Sequence, residues 1–392
     1  MRALIWMRCI LLSVAVLTAC SLRAGGFDWA AASDPGIHSI NRAPSRTYSL
    51  PAERMSLNGE WRYSWCGETA QMPRDFWRTD FDDSDWSAID VPCCVELRGW
   101  GVPHYTSLEF PHKADPPVIR DYVSGLTNYN PVSSYRRTFT VPDSWRGKRI
   151  VLRFDGVDSC AAVWLNGRFV GYSEDSKLPA EFDVTRFLSD DGSPELLCVQ
   201  VWRWCDGSYL EDMDFWRFSG IFRDVTLFAV PPGGLEDFRV STIPLDGSFD
   251  RWKLSVEIDG GSPRSAALYD AQNTKVGDLV ESGATATNGL FELQVDAPSL
   301  WSAESPSLYT LRVSAGSSRD VRQIKVGFRH VEIRDKVLLL NGKPLKFNGV
   351  NRHDASPVGG RTVSEAEMLR DILLMKRTNI DTVRTRDRKR HV

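Results

Sequence analysis

Apolar and polar residues alternate in short runs over residues 57–230, and turn residues separate these runs. Residues 135–141 form one such run, and residues 162–171 predict a hairpin on an Asn-Gly turn. Alternation with a period of two is typical of strands that bury one face. Many short strands with frequent turns indicate an antiparallel sandwich or barrel. We therefore predict an all-β domain over residues 40–231.

A second strand-rich segment follows a Pro-Pro-Gly-Gly stretch at residues 231–234, which interrupts the pattern as a linker does. Residues 252–258 and 308–313 are among its alternating runs. About seven short strands in roughly a hundred residues match the size of an immunoglobulin-like sandwich. We predict such a domain over residues 235–333.

The pattern changes to helical spacing further along the chain. Residues 337–347 predict a hairpin on another Asn-Gly turn, and residues 380–384 predict a strand. Between them, Ser364 and Glu367 form a capping-box sequence ahead of an apolar stripe at helical spacing. Strand, helix and strand in this order indicate one βαβ unit of a parallel sheet, over residues 334–385.

Net charge does not favour nucleic-acid or membrane partners for the chain as a whole. The formal net charge is −3 and 25% of the residues are charged, which is ordinary for a soluble protein. The N-terminus differs, because Arg2 and Arg8 precede an apolar run that is too short to span a bilayer. We interpret residues 1–24 as a secretory signal peptide.

Two cleavage alternatives remain for this signal. The sequence Leu-Thr-Ala-Cys that ends at Cys20 resembles a bacterial lipoprotein cleavage box, in which Cys20 becomes the lipid-bearing first residue. Ordinary cleavage near Ala24 is the alternative. Both predict export to the periplasm or outer membrane, and the first adds a lipid anchor to the membrane. Six further cysteines are too few for a disulfide scaffold, so we predict buried free thiols.

Tryptophan is concentrated in the first predicted domain, where ten of the 14 tryptophans lie between Trp61 and Trp216. So much aromatic bulk suits either a thick sandwich core or a carbohydrate-facing surface. We favour the core, since large aromatic side chains dominate the packing of protein interiors.

Several stretches resemble the glycoside hydrolases of family 2, of the β-galactosidase type. Residues 206–217 read DGSYLEDMDFWR and residues 219–225 read SGIFRDV, similar to the sugar-binding domain of that family. Its later landmarks follow in order, ending with NGVNRH at residues 348–353. The DGSYLED run is specific to the β-galactosidase branch rather than to mannosidases or glucuronidases.

The resemblance implies a mainly β chain. We expect a jelly-roll-like sugar-binding sandwich, an immunoglobulin-like β-sandwich and then the first β-α-β of an incomplete (β/α)8 TIM barrel. The implied reaction is retaining hydrolysis of terminal β-D-galactosides by two glutamates about 5 Å apart. A barrel takes about 250 residues, and 48 follow from Leu345 onwards. Both glutamates lie on later barrel strands in the family, so we expect these 392 residues to lack them and to be inactive alone.

Site residues follow from the matched motifs. The resemblance implies that Asp206 binds sodium and sugar hydroxyls, and that His353, at the end of the first barrel strand, binds the sugar. Arg384 matches a position at the barrel rim, where a solvated arginine is an equal alternative. Ser107 stands where the family has an asparagine, which weakens or replaces one sugar contact. Sodium and magnesium are expected for the full-length enzyme, with Asp206 as a partial sodium site in this chain.

Residues 386–392, RDRKRHV, do not match the family continuation. One basic run on a chain of net charge −3 satisfies little of what nucleic-acid binding requires. We interpret it as an aberrant basic tail where the enzyme's sequence is lost, and we predict no nucleic-acid partner. A non-catalytic carbohydrate-binding protein is the alternative to a truncated β-galactosidase. Homo-oligomer formation stays open.

Overall fold

The computed structural model describes residues 23–24, 26–45, 49–105, 129–211, 214–285, 287–316 and 321–385. The predictions for Cys20, Ser107 and the basic tail at residues 386–392 therefore lie outside the described residues. Within the described part, no helix combines the length and the apolar character needed to cross a membrane.

The first module is an antiparallel sandwich. It and the short segment ahead of it contain β1 (Arg23–Ala24), β2 (Phe27–Asp28), β3 (Ser39–Ile40), β4 (Arg54–Ser56), β5 (Gly59–Cys66), β6 (Ser87–Val91), β7 (Val132–Phe139), β8 (Arg149–Phe154), β9 (Val157–Asp158), β10 (Cys160–Leu165), β11 (Arg168–Ser173), β12 (Ala180–Asp183), β13 (Glu195–Trp202), β14 (Gly220–Ile221) and β15 (Val225–Val230). A one-turn helix, α1 (Gly207–Leu210), follows β13. Single 3-10 turns lie at Trp29–Ser33, Thr69–Gln71, Val95–Arg98, Asp143–Trp145 and Thr185–Phe187.

Two sheets face each other in this sandwich. The larger has the strand order β3-β11-β10-β13-β7-β5-β6, and the smaller has the order β12-β8-β15-β4. Their facing side chains form one apolar core, which includes Trp61, Leu152 and Val163. A second cluster around Trp164 covers the outer face of the larger sheet with the chain ahead of β3. The tryptophans therefore serve mainly as core residues, as the sequence predicted.

The second module pairs two four-stranded antiparallel sheets, in the orders β16-β17-β21-β20 and β19-β18-β22-β23. Its strands are β16 (Leu235–Pro244), β17 (Arg251–Gly260), β18 (Arg264–Tyr269), β19 (Lys275–Asp278), β20 (Val280–Ala284), β21 (Asn288–Asp296), β22 (Tyr309–Ala315) and β23 (Val321–Val326). Alternate residues of β17 are buried, and Trp252 and Phe328 pack edge to face in the core between the sheets. This module is the predicted immunoglobulin-like sandwich.

The third segment contains a small meander of β24 (Val331–Arg334), β25 (Val337–Leu340) and β26 (Lys343–Pro344). It continues with β27 (Gly349–Arg352), the helix α2 (Glu365–Arg377) and β28 (Thr382–Thr385). β27 and β28 pair in parallel, so the strand, helix and strand form the predicted βαβ unit. The predicted capping box is also present at the start of α2. The predicted fold class is confirmed.

Candidate functional site

The DGSYLED stretch turns away from the sandwich directly after β13. The Asp206 N–H donates to the Ala32 carbonyl at 3.0 Å, which fixes the backbone at the start of α1. The Asp206 side chain does not cap this helix. Its Oδ1 atom is buried and receives no hydrogen bond from an amide or alcohol group of the described residues. The Glu174 carboxyl group interacts with the Asp206 side chain, so the two acidic groups together form the candidate ligand position.

Glu174 and Cys205 lie beside Asp206. One ligand atom from each of the three side chains lies within 4.8 Å of the other two. The close approach needs a glycine at position 207, because a Cβ there would lie 2.5 Å from Glu174 Oε2. Glu174 comes from the turn after β11, which is separated from β13 by β10 in the sheet. Strand pairing thus brings two distant acidic residues together.

Burial raises the pKa of Glu174 from 4.5 to about 8. The hydrogen bond from the Tyr172 hydroxyl to Glu174 Oε1, at 2.7 Å, acts in the opposite direction, and the neighbouring Asp206 raises the pKa again. A carboxyl group in this environment keeps its proton at neutral pH, because ionisation would place a second negative charge in a poorly solvated site. Glu174 can therefore act as a hydrogen-bond donor beside Asp206.

Glu211 holds the end of the same loop. Its Oε1 accepts a hydrogen bond from the Ser176 N–H at 2.7 Å, and its Oε2 accepts one from the Ser176 hydroxyl. Burial raises the pKa of Glu211, while Lys177 lowers it. These bonds connect the DGSYLED stretch to the turn that carries Glu174, so Glu211 positions the loop.

His353 follows β27, the first strand of the βαβ unit. Its imidazole stacks on the ring of Phe215, with the ring centroids 4.6 Å apart and an interplanar angle of 14°. Phe215 belongs to the MDFWR stretch of the first sandwich. The contact therefore joins two of the predicted motifs across the boundary between the sandwich and the βαβ unit.

Arg361 strengthens the same boundary from the loop between β27 and α2. Its guanidinium is buried, lies 3.3 Å from the Asp158 carboxylate, and donates to the Trp216 carbonyl at 3.3 Å. Its Cζ atom also lies 5.4 Å from the centre of the Phe215 ring. The next residue, Thr362, donates its hydroxyl proton to the Phe222 carbonyl at 2.9 Å. The loop is thus fixed to the first sandwich.

The predicted site residues are only partly brought together. Asp206 lies with Glu174, and His353 lies against Phe215, nine residues after Asp206 in the same loop region. Arg384 is exposed on β28, opposite Asn351 in the strand register. That position agrees equally with a rim residue and with a solvated arginine.

Three residues of this site were not identified from the sequence. Glu174 has no motif of its own, and only the fold reveals its burial beside Asp206. Phe215 lies within the matched MDFWR stretch. Its aromatic side chain, close to Asp206 in the sequence, was a signal that could have identified it. Arg361 lies in a short Gly-Gly-Arg-Thr sequence that gives no indication of its distant partners.

The chain has two β-sandwiches in series, followed by a βαβ unit whose first strand places a histidine against the first sandwich, which is the domain order of modular glycoside hydrolases. Family models agree with this class. The sugar-binding domain of glycosyl hydrolases family 2 matches residues 54–231, a second domain of glycosyl hydrolases family 2 matches residues 235–329, and the family's TIM barrel domain matches residues 331–387. The chain belongs to glycoside hydrolase family 2.

Among curated proteins, a β-galactosidase of Priestia megaterium (strain DSM 319 / IMG 1521) is 36% identical over 390 residues. The match covers 90% of this chain and 37% of the relative. The chain therefore spans little more than a third of the length of that protein.

Solved structures with this fold include two β-glucuronidases. The Bifidobacterium dentium enzyme, complexed with coumarin-3-O-glucuronide, has a TM-score of 0.70 at 22% identity and covers 88% of this chain and 60% of its own. Bacteroides uniformis β-glucuronidase 2, covalently bound to cyclophellitol-6-carboxylate aziridine, has a TM-score of 0.67 at 26% identity. That match covers 86% of this chain and 40% of the enzyme.

Proposed function

We propose that this chain carries the sugar-recognition part of a β-galactosidase that hydrolyses terminal non-reducing β-D-galactosides. The observation that carries the proposal is the pairing of Asp206 with Glu174, two carboxyl groups held together in a poorly solvated pocket. Such a pair is costly unless a ligand supplies further donors or a cation. A sugar hydroxyl or a sodium ion meets that requirement.

The residues around Asp206 suit a neutral sugar. Asp206 accepts a hydrogen bond from a hydroxyl, and the protonated Glu174 donates one. His353, held against Phe215 at 4.6 Å, is the candidate sugar-binding group of the βαβ unit. The specificity for galactosides is supported by the DGSYLED sequence and by the 36% identity to a protein named β-galactosidase.

We further propose that these 392 residues bind galactosides without hydrolysing them. Retaining hydrolysis requires two carboxyl groups about 5 Å apart on either side of the glycosidic bond. Among the described residues, Glu174 and Asp206 are close enough, but we assign both to sugar binding, and the carboxylates next to His353 in the βαβ unit are paired with Arg352. Asp371 accepts two hydrogen bonds from Arg352, at 2.7 and 3.0 Å, and Asp354 is paired with the same guanidinium.

Sodium fits the Asp206 carboxylate, because hard cations prefer oxygen ligands. Asp206 would hold the ion, which supplies a positive charge that orients sugar hydroxyls. A magnesium site has less support. The single group of three potential metal ligands in the described part of the chain includes the Cys205 thiol, which neither sodium nor magnesium favours, so Asp206 forms a partial sodium site only. We therefore place no magnesium on these residues.

Substitution of Asp206 with asparagine tests the proposal. The 392-residue chain is expected to bind methyl β-galactoside, and Asp206→Asn is expected to weaken the affinity about tenfold or more, a loss typical of a hydrogen bond to a charged group. Replacement of sodium by choline in the buffer is expected to weaken binding to the natural chain and to leave the variant unchanged. Isothermal titration calorimetry measures both effects.

Asp191→Asn is the matched control, since that aspartate is exposed and bonds only locally to Ser193. Its affinity is expected to equal that of the natural chain. Equal affinities of the natural chain and Asp206→Asn would contradict the role of Asp206. Release of nitrophenol from a nitrophenyl β-galactoside by the purified chain would contradict the absence of hydrolysis.

A glucuronide is the second candidate ligand, on the basis of the 26% identity to a β-glucuronidase. The site holds the acidic pair of Asp206 and Glu174, and the added negative charge of a uronic acid in a poorly solvated acidic site is unfavourable, because like charges repel each other. Methyl β-glucuronide is therefore expected not to compete with methyl β-galactoside. Competition at similar concentrations would favour the glucuronide.

We also propose export to the periplasm or outer membrane, with lipid attachment at Cys20 as one of the two cleavage alternatives. The proposal is supported by the basic residues and the apolar run of residues 1–24. Mass spectrometry of the N-terminal peptide from cells distinguishes a lipid-modified Cys20 from cleavage near Ala24.

A further inference from the structure

A polar pocket of about 290 Å³ lies on the second sandwich, on the sheet with the order β19-β18-β22-β23. Asp270 and Asn273 line it from the turn between β18 and β19, Thr310 lines it from β22, and Gln323 and Lys325 line it from β23. Its volume is close to the lower limit for small-molecule sites, about 300–1,000 Å³. The pocket therefore suits a ligand of about one sugar unit.

Two cations lie on the outer face of this sheet. Alternate residues of β22 are buried, which leaves Arg312 on the outer face. Arg312 is opposite Gln323 of β23, and Lys325 of β23 is opposite Thr310. The two cations are therefore diagonal neighbours, with their Cα atoms about 7–8 Å apart. An anion between them would relieve the repulsion of these like charges.

Within the described part of the chain, both cations hydrogen-bond to neutral groups rather than to carboxylates. Arg312 donates to Asn273 Oδ1 at 2.7 Å, and its Cζ atom lies 4.0 Å from the centre of the Tyr269 ring. Lys325 donates to the Thr310 hydroxyl oxygen at 2.8 Å. These contacts hold both side chains in place but do not neutralise their positive charges.

The same hydrogen bonds determine which atoms a ligand meets in the pocket. Arginine and lysine side chains only donate hydrogen bonds. Asn273 therefore uses its carbonyl oxygen for Arg312, which leaves the two N–H donors of its amide. Thr310 uses its oxygen for Lys325, which leaves its own hydroxyl proton, and the ammonium group keeps two further protons. Three separate donor groups thus border one pocket.

Asp270 is the acidic residue of the pocket, and the turn uses part of its carboxylate. Its Oδ1 atom accepts the Gln272 N–H at 2.9 Å and the Thr274 N–H at 2.8 Å. Arg312 and Lys325 each carry one positive charge and Asp270 carries one negative charge, so these three groups have a net charge of +1. A single negative charge on the ligand balances that excess, whereas a dianion exceeds it.

We propose that this pocket binds the sulfate ester of a sulfated sugar. A sulfate ester carries one negative charge and three terminal oxygen atoms, which match the net charge and the three donor groups. The sugar ring takes up the rest of the pocket. This inference is independent of the proposed galactoside recognition, because the pocket lies on the second sandwich and uses none of the residues around Asp206.

Glucose 6-sulfate and glucose test the proposal, since they share the hexose ring and differ in the ester. Calorimetric titration of the 392-residue chain is expected to show glucose 6-sulfate binding about tenfold or more tightly than glucose, the gain typical of a hydrogen bond to a charged group. Lys325→Met is expected to remove most of this preference. Arg312→Met is expected to remove a smaller part, because Arg312 orients Asn273 without lining the pocket.

Glucose 6-phosphate separates the two kinds of tetrahedral ester. At about pH 8 its phosphate is a dianion, and the Asp270 carboxylate lines the same pocket. It is therefore expected to bind more weakly than glucose 6-sulfate. Tighter binding of the phosphate ester would contradict the assignment to a sulfate.

Lys253→Met is the matched control, because Lys253 lies on the other sheet of the same sandwich and pairs with Glu292 at 2.8 Å. It is expected to leave both affinities unchanged. Equal affinities of the natural chain for glucose and glucose 6-sulfate would overturn the proposal. Binding of inorganic sulfate as tight as that of glucose 6-sulfate would also overturn it, since the pocket would then recognise an ion and not a sugar. Equal losses in Lys253→Met and Lys325→Met would assign the binding to overall charge instead of this pocket.

Discussion

Arg361→Met is expected to lower the free energy of unfolding by about 3 kcal/mol, the loss typical when one partner of a buried ion pair is removed. Arg361 is 6% exposed, and its loss leaves the Asp158 carboxylate without its cation at 3.3 Å. The hydrogen bond to the Trp216 carbonyl and the contact with the Phe215 ring are lost as well. Urea denaturation followed by tryptophan fluorescence measures the effect.

A second measurement reports on the site itself. Because Arg361 packs against Phe215, and Phe215 stacks on His353, the variant is expected to bind methyl β-galactoside more weakly. Arg361→Lys keeps the charge and is expected to recover part of the stability. It is expected to recover less of the binding, because the ammonium group lacks the planar guanidinium that packs over an aromatic ring.

Arg334→Met is the matched control for this substitution. Arg334 pairs with Glu332 at the surface, and its side chain is 59% exposed. Exposed pairs contribute about 0–1 kcal/mol, so a small change is expected. If the two methionine variants lost equal stability, Arg361 would not hold the βαβ unit on the sandwich.

The elements that the sequence predicted correctly are those with strong local signals. Asn166 and Gly167 both have positive φ, at 52° and 77°, as the turn of a two-residue hairpin requires. Asn341 and Gly342 repeat the same conformation at 50° and 75°. The capping box at Ser364 likewise depends on residues three positions apart. These interactions form between residues only a few positions apart, so the local sequence is sufficient to predict them.

Other features depend on strand order and could not be predicted. Glu174 and Asp206 are 32 positions apart in the sequence. They meet because they follow β11 and β13, which lie on either side of β10 in the same sheet. The partners of Arg361 lie still further away: its N–H donates to the Cys94 thiol across 267 positions. No local sequence pattern indicates either contact.

The tryptophans show the same division. Trp164 lies in β10, a continuous apolar run that is buried along its whole length, and it is fully buried. Trp216 lies outside a regular strand, so no alternation bears on its exposure. Only the bridge between His104 and Arg217 brings Trp216 beside Tyr105 at the surface. The sequence pattern alone therefore did not separate the buried Trp164 from the exposed Trp216.

Arg153→Met is expected to destabilise the first sandwich by about 3–5 kcal/mol. The guanidinium lies between two carboxylates, 2.7 Å from Asp155 and 2.5 Å from Glu181, and all three side chains are almost fully buried. Methionine fills much of the same volume but leaves two buried negative charges without that cation. Urea denaturation at pH 7, followed by tryptophan fluorescence, measures the loss.

The charges, rather than the packing, are expected to account for this loss. The triple variant Arg153→Met, Asp155→Asn, Glu181→Gln removes all three charges and is expected to recover most of the stability, as neutral replacements of buried ion clusters often do. A triple variant that is as unstable as Arg153→Met would assign the effect to packing. Since Asp155 begins the turn that leads to Asp158 and its contact with Arg361, the same triad supports the sandwich side of the proposed sugar site.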